Sequence, residues 1–289
     1  MKFAFIDAHE REFEVKVMCR VLEVSVSGYY AWRKRPPSAR AQANAVLVEQ
    51  MRRVHADSRH TYGSLRIHAA LRQQGVVCNH KRVERLMHLH GIRGCDRRHR
   101  RRPVTTQSRH AYPVAANLLQ RDFTAEAPNR KWLGDISYID TLEGVLYLAS
   151  LEDVFSRKIV GWAMDEHMET ALVEQAMHMA LARRQPEEGL LHHSDQGSQY
   201  ASDAYRALLE AHHTTVSMSA TGNCYDNAMK ESFFATLKTE CASQPFATRA
   251  QARTAIFEYI EVFYNRQRLH SALGYLSPEQ FEQQFYTIR

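Results

Sequence analysis

The spacing of apolar residues changes once along this chain, and that change fixes the fold class. Up to about residue 90 they recur at helical intervals, as in Val15, Met18 and Leu22 or in Val83, Leu86, Met87 and Leu89, the repeat that lines one face of a helix. From residue 131 the pattern predicts short strands over 131–139, 145–151 and 158–164, with Leu142-Glu143-Gly144 as the tight connection between the first two. A helix over 168–184, a strand over 190–194, a helix over 200–212, a strand over 214–219 and a helix over 225–241 come next. Three strands, then helix, strand, helix, strand, helix make an α/β fold, a mixed sheet of five strands with helices on its faces. Helices over 248–265 and after Pro278 end the pattern.

The helical part has its own punctuation. Residues 13–34 read as two short helices. Glu23-Val24-Ser25-Val26 breaks the first stripe, Ser25 or Ser27 can cap the second helix, and Pro36-Pro37 stops it. The end of a helix-turn-helix and a plain helical hairpin fit equally. A helix over 40–55 comes next, then 63–73 and 80–90 joined by a turn containing Gly75. Asn79 caps the last of these, and its first turns carry Lys81, Arg82 and Arg85. A basic second helix after a Gly turn makes a helix-turn-helix-like unit. The expected division is 1–38 helical, 40–100 helix-turn-helix-like, 101–124 basic linker, 125–242 α/β core and 243–289 helical.

Charge respects the same division. Residues 1–121 hold 24 Lys and Arg against 9 Asp and Glu, and the remainder holds 14 against 23. So basic a segment suggests a polyanion partner. The densest run, Arg97, Arg98, Arg100, Arg101 and Arg102, reads as phosphate contacts, because the planar guanidinium donates two bonds at once; a solvated arm is the alternative. A composition 44% hydrophobic and 24% charged excludes a wholly disordered chain. No apolar run approaches the ~20 residues that span a bilayer. A cytoplasmic location is expected, with the five cysteines reduced. Cys78, His80, His88, His90 and Cys95 do not match a standard zinc spacing.

Three acids stand out by position. Asp135 falls inside the first predicted strand, where a carboxylate is costly unless paired, hydrogen-bonded or metal-bound. Asp195 falls just past the fourth strand, the end at which α/β sheets place ligands. Glu231 falls on the helix that closes the sheet pattern. Each alone has a plainer reading: a turn cap, a helix cap, a surface residue. Together they can converge on one sheet edge, as phosphoryl transfer requires, and oxygen ligands favour Mg²⁺ or Mn²⁺.

The intervals are 60 positions from Asp135 to Asp195 and 36 from Asp195 to Glu231. They lie in the strings Trp132-Leu-Gly-Asp-Ile-Ser-Tyr138, His193-Ser-Asp-Gln-Gly-Ser-Gln-Tyr200 and Asn227-Ala-Met-Lys-Glu-Ser-Phe-Phe-Ala-Thr-Leu-Lys-Thr-Glu240. Asp153-Val-Phe-Ser-Arg-Lys-Ile-Val-Gly-Trp162 and Tyr264-Asn-Arg-Gln-Arg-Leu-His-Ser-Ala-Leu-Gly-Tyr-Leu-Ser-Pro-Glu279 accompany them. Over essentially its whole length the chain resembles the aspartate–aspartate–glutamate transposases and retroviral integrases, and within them the second-frame (OrfB) transposases of the insertion-sequence-three family. The resemblance implies a ribonuclease-H-like integrase core. It implies Asp135, Asp195 and Glu231 as catalytic ligands of two Mg²⁺ (or Mn²⁺) ions, with Lys238 touching DNA near the scissile phosphate. It further implies cleavage at the ends of a bacterial mobile element and strand transfer, a partner or fusion from the upstream frame, and a homo-oligomer on DNA. A nuclease on the same fold and a non-catalytic DNA-binding regulator are the competing readings.

Overall fold

The computed structural model describes residues 1–95, 112–219 and 224–288. Arg97, Arg98, Arg100, Arg101 and Arg102 lie outside them. The chain divides into two compact units, Met1–Gln50 and Met51–Arg289.

The first unit holds α1 (Lys2–Ala8), α2 (Val15–Val21), α3 (Val26–Lys34) and the first part of α4 (Ala39–Asp57). Ile6, Met18, Cys19 and Tyr29 form its core, with Phe3, Val15, Leu22, Val24 and Val26 packed around them. The sequence pattern missed α1, because its apolar residues Phe3, Phe5 and Ile6 are too few to show a repeat.

The second unit begins with the end of α4, then α5 (Ser64–Gln73) and α6 (His80–Leu89). The turn between α5 and α6 uses Gly75 at φ +79°, a left-handed conformation open to glycine at little cost. Asn79 caps α6 through a 2.8 Å bond from the Lys81 amide. The α5 region is tied to the C-terminal segment. The Tyr62 hydroxyl accepts from the Leu269 amide at 2.7 Å, and Arg66 Nε donates to the Leu269 carbonyl at 3.0 Å.

The sheet comprises β1 (Lys131–Thr141), β2 (Gly144–Asp153), β3 (Ile159–Asp165), β4 (Leu191–Ser194) and β5 (Thr215–Met218), in the order β3-β2-β1-β4-β5. The first three form an antiparallel meander; β4 runs parallel to β1 and β5 parallel to β4. The remaining helices are α7 (Thr170–Arg184), α8 (Ser198–Ala201), α9 (Asp203–Ala211), α10 (Ala228–Glu240), α11 (Arg249–Phe257) and α12 (Pro278–Ile288). The helix expected over 200–212 is in fact two. Ser202 interrupts it with ψ 149° and caps α9 through the Tyr205 amide, the local competition that makes serine a helix starter. The helix expected over 248–265 changes to a π-helical turn at Glu258–Tyr264.

Alternation along the strands gives the sheet two different faces. Trp132, Ala149, Leu151 and Val160 pack with Leu172, Val173, Ala176, Met177 and Ala180 of α7. Here α7 lies so close to β3 that a side chain at Gly161 would collide with the Ala176 carbonyl and the Ala180 methyl. The opposite face carries Leu133, packed with Leu119, Val154 and Met229 of α10. Asp135, two residues along from Leu133, shares that second face. Among the described residues no helix is long and apolar enough to cross a membrane.

Candidate active site

Two of the three acids are brought together by strand register. In the β1–β4 ladder Lys131 pairs with Leu191, Trp132 with His192 and Leu133 with His193. Each pair is 60 positions apart, so continuing the register two residues sets Asp135 level with Asp195. Neighbouring strands are about 4.8 Å apart. Gly134 permits this approach, since a Cβ there would come 2.7 Å from His192 Cε1 and 3.3 Å from Tyr200 Cε1. Each carboxylate is then oriented locally. Asp135 Oδ1 accepts from the Ile136 amide at 2.8 Å, and Asp195 Oδ1 accepts from the Gly197 amide at 3.0 Å.

Electrostatics records the same proximity. Burial drives the Asp135 carboxyl well above the ordinary range, the charge of Asp195 pushes it further, and Glu231 adds a weaker push. Mutually repelling oxygen donors of this kind are the chemistry that a hard divalent cation relieves. Glu231 lies in the first turn of α10 and is half-buried. Among the described residues no three His, Cys, Asp or Glu side chains are grouped closely enough to hold a metal. The Asp135–Asp195 pair is oxygen-donor chemistry that fits a hard cation, and Glu231 lies near enough for its charge to act on Asp135.

The sequence reading missed the residues behind this pair. Ser150 lies opposite Asp135 in the β1–β2 register. Its Oγ accepts a 2.7 Å bond from Lys230 Nζ, the residue before Glu231. Lys230 is fully buried, its ammonium 4.6 and 4.9 Å from the ring centres of Phe233 and Phe234. Two positions along β2 is Glu152, also fully buried, whose two carboxylate oxygens have no hydrogen-bond partner. Burial pushes its carboxyl up to about 7, opposed by Lys230 and Arg157. Burial lowers the Lys230 ammonium below its usual range, against the pull of Glu152 and Asp135. For Glu152 the signal was available: a charged residue at the end of a predicted strand, the argument already applied to Asp135.

Other polar residues near the site are structural. Asp153 is fully buried and accepts from the Asn129 amide, Trp132 Nε1 and the Phe155 amide at 2.6, 3.3 and 2.8 Å. His192 is buried against the Tyr205 hydroxyl at 3.0 Å, and burial drops its pKa to about 3, so it stays neutral. Asp226 does not cap α10. It accepts from Asn117 at 2.8 Å and from Arg121 at 3.1 Å, fastening the incoming chain to the start of that helix. Asn265 closes on the backbone of Ile159, and Arg268 grips Glu240 with two bonds of 2.8 and 2.7 Å. Those two C-terminal residues are interior clamps rather than outward contacts.

Of the basic residues, Lys238 is half-buried with its ammonium 3.7 Å from the Tyr138 ring centre. Lys81 and Arg85 are exposed on α6, opposite its buried Val83, Leu86 and Met87, and Arg82 is half-buried. Lys81 lies 3.3 Å from Glu84.

Three family models match the chain: an HTH-like domain over residues 41–102, an integrase core domain over 125–224, and a second integrase core domain model over 231–285. The chain is 43% identical over 292 residues to Transposase InsF for insertion sequence IS3A of Escherichia coli (strain K12), covering 98% of each. It is 44% identical over 272 residues to the insertion element IS600 uncharacterized 31 kDa protein of Shigella sonnei, covering 94% of this chain and 99% of that one. Among solved structures it is similar to the HTLV-2 integrase catalytic core domain in complex with magnesium, at 14% identity and a TM-score of 0.42, over 55% of this chain and 99% of that one.

Proposed function

The chain belongs to the insertion-sequence-three (IS3) family of DNA transposases with an integrase core, and from that premise we propose that Asp135, Asp195 and Glu231 are its catalytic carboxylates. The observation that carries this reading is the 60-residue register that sets Asp135 level with Asp195, on the sheet face against which α10 brings Glu231. The three would hold Mg²⁺ or Mn²⁺, two ions in all. Bound there, such ions ease deprotonation of an attacking oxygen and offset charge on the phosphate.

The protein's own groups do the positioning. The Ile136 and Gly197 amides fix the carboxylates of Asp135 and Asp195. Lys230 supplies positive charge on the same face and ties the first turn of α10 to β2 through Ser150. In the reaction, water breaks a phosphodiester at the element's end and leaves a 3′ hydroxyl. That hydroxyl then attacks a second phosphodiester and displaces its 3′ oxygen. Duplex DNA is held through Lys81, Arg82 and Arg85, through Arg97, Arg98, Arg100, Arg101 and Arg102, and through Lys238 near the scissile phosphate. The active form is a homo-oligomer on DNA in the cytoplasm, joined by or fused to the upstream-frame protein.

The test uses the full chain, with and without the upstream-frame protein, on duplexes carrying the element's own ends. Asp135→Asn, Asp195→Asn and Glu231→Gln are expected to bind these duplexes like the wild type, yet to cleave and join nothing in Mg²⁺ or Mn²⁺. Joined product from any of the three would remove that residue from the site. Cleavage by the wild type without joined product would favour a nuclease.

A further inference from the structure

We propose that α3 in the first unit is a DNA-reading helix, a second duplex-binding element separate from the α5–α6 region. The proposal rests on the transposase reading for its ligand and on the first unit for its geometry.

The fold of Met1–Gln50 meets the requirements of a helix-turn-helix. Helix α2 ends at Val21, α3 starts at Val26, and the four residues between them form the turn. Glu23 in that turn has φ +52°, the left-handed residue that reverses the chain tightly and for which glycine is the usual choice. Ser25 caps α3 by accepting from the Gly28 amide at 2.9 Å. Gly28 leaves room for this cap, because a Cβ there would lie 2.6 Å from Ser25 Oγ and displace the capping hydroxyl. The three helices share one small core, and Tyr29 is the α3 residue sunk in it.

The outward side of α3 has what a groove requires. Ser27, Tyr30, Ala31 and Lys34 are exposed at positions i, i+3, i+4 and i+7, one stripe along the helix. They offer a hydroxyl, an aromatic edge, a methyl and a cation, the groups that meet base edges and thymine methyls in the major groove. On α2, Lys16 and Arg20 are exposed, and Arg35 comes directly after α3. Among the described residues none of Lys16, Arg20, Lys34 and Arg35 is paired with a carboxylate. Of the acids in α1 and the loop after it, Glu12 and Glu14 are exposed, whereas the other two are engaged. Asp7 and Glu10 hold the Tyr29 hydroxyl at 3.2 and 3.3 Å and take Arg33 as their cation. Lys16, Arg20, Lys34 and Arg35 therefore gather exposed positive charge beside the α3 stripe, which matches the phosphate backbone that flanks a groove. None of the three family-model matches reaches residues 1–40.

The experiment measures binding of the full chain to a fluorescent duplex of the element's end across a salt series. The variants are Tyr30→Ala with Lys34→Ala, and separately Lys16→Ala with Arg20→Ala. All four positions are exposed, and circular dichroism checks the fold. The first pair is expected to lose on the order of tenfold in affinity and to discriminate less between end and unrelated duplex. The second is expected to weaken both duplexes alike and to flatten the slope of log affinity against log salt by about 1 per cation removed. Folded variants with unchanged affinity and slope overturn the proposal, as does loss of upstream-frame protein binding with DNA binding intact, which makes the face a protein dock. Asp135→Asn is carried alongside: it tests the catalytic reading through joining, and its binding curve is expected to match the wild type, so the two ideas fail separately.

Discussion

The two faces of one sheet are built from the same strands and obey opposite rules. On the α7 face, Ala149 and Leu151 of β2 are buried among apolar side chains. On the other face their neighbours Ser150 and Glu152 are equally buried beside Asp135 and Lys230. Burial on the first face stabilises at roughly 25 cal/mol per Å². Burial on the second raises two carboxyls, lowers an amine and leaves both oxygens of Glu152 without a partner. Perturbed titrating groups gathered at one place mark a working surface. The apolar face thus supplies the stability that lets the polar face hold charge at close quarters.

The largest effect that tests this contrast is on chemistry. Asp135→Asn should lower strand joining by on the order of 10³-fold or more, the equivalent of several kcal/mol of charge stabilisation. Its thermal midpoint should stay level or rise, because burial and Asp195 both disfavour the ionised form. A variant that loses stability and activity in parallel would mean that Asp135 is structural. Next in size is the buried amine. Lys230→Met alone, at about pH 8, should cost on the order of 1–3 kcal/mol, because without the ammonium Glu152 must take up a proton to stay buried. Adding Glu152→Leu should recover most of that loss in urea unfolding, while joining stays impaired. Additive losses would show that Lys230 and Glu152 do not act as a pair.

The sheet was legible because its signals are local. Alternation and the Leu142-Glu143-Gly144 turn announce β1 and β2, and the latter strand begins at Gly144 with φ +112°. Asp135 was legible because a carboxylate inside a strand needs a reason. Its alignment with Asp195 was not, since register depends on pairing between segments 60 residues apart and no local pattern encodes it. Lys230 escaped notice because it sits beside Glu231 on a helix, where a lysine ordinarily faces water; only packing against Ser150 reveals that it is interior. The C-terminal clamp of Arg268 on Glu240 was hidden for the same reason, as two surface-type residues that the fold turns inward.

A smaller effect separates the faces by pH. Glu152 titrates near its usual 4.5 when unfolded and at about 7 when folded. Across that window the folded protein holds the proton that the unfolded chain has released. Stability attached to Glu152 is therefore complete below about 4.5 and is lost as pH rises through about 7, a total on the order of 3 kcal/mol. The urea midpoint of Glu152→Gln should accordingly fall less steeply with rising pH than that of the wild type. Parallel curves would mean that the Glu152 carboxyl is relieved by a partner.

The smallest effect belongs to the apolar face and serves as its control. Val173 of α7 is 1% exposed within the core of that face. Val173→Ala removes two methyl-sized groups at about 0.8 kcal/mol each and leaves a small cavity, for a loss of roughly 1.5–2.5 kcal/mol. No titrating group is involved, so the loss should be the same at every pH at which Glu152→Gln is compared with the wild type. Joining per folded molecule should be unchanged, since the sheet lies between Val173 and Asp135. A Val173→Ala variant whose joining rate falls while its DNA affinity holds would show that the two faces are mechanically coupled, with the packing of α7 setting the alignment of β1 and β4.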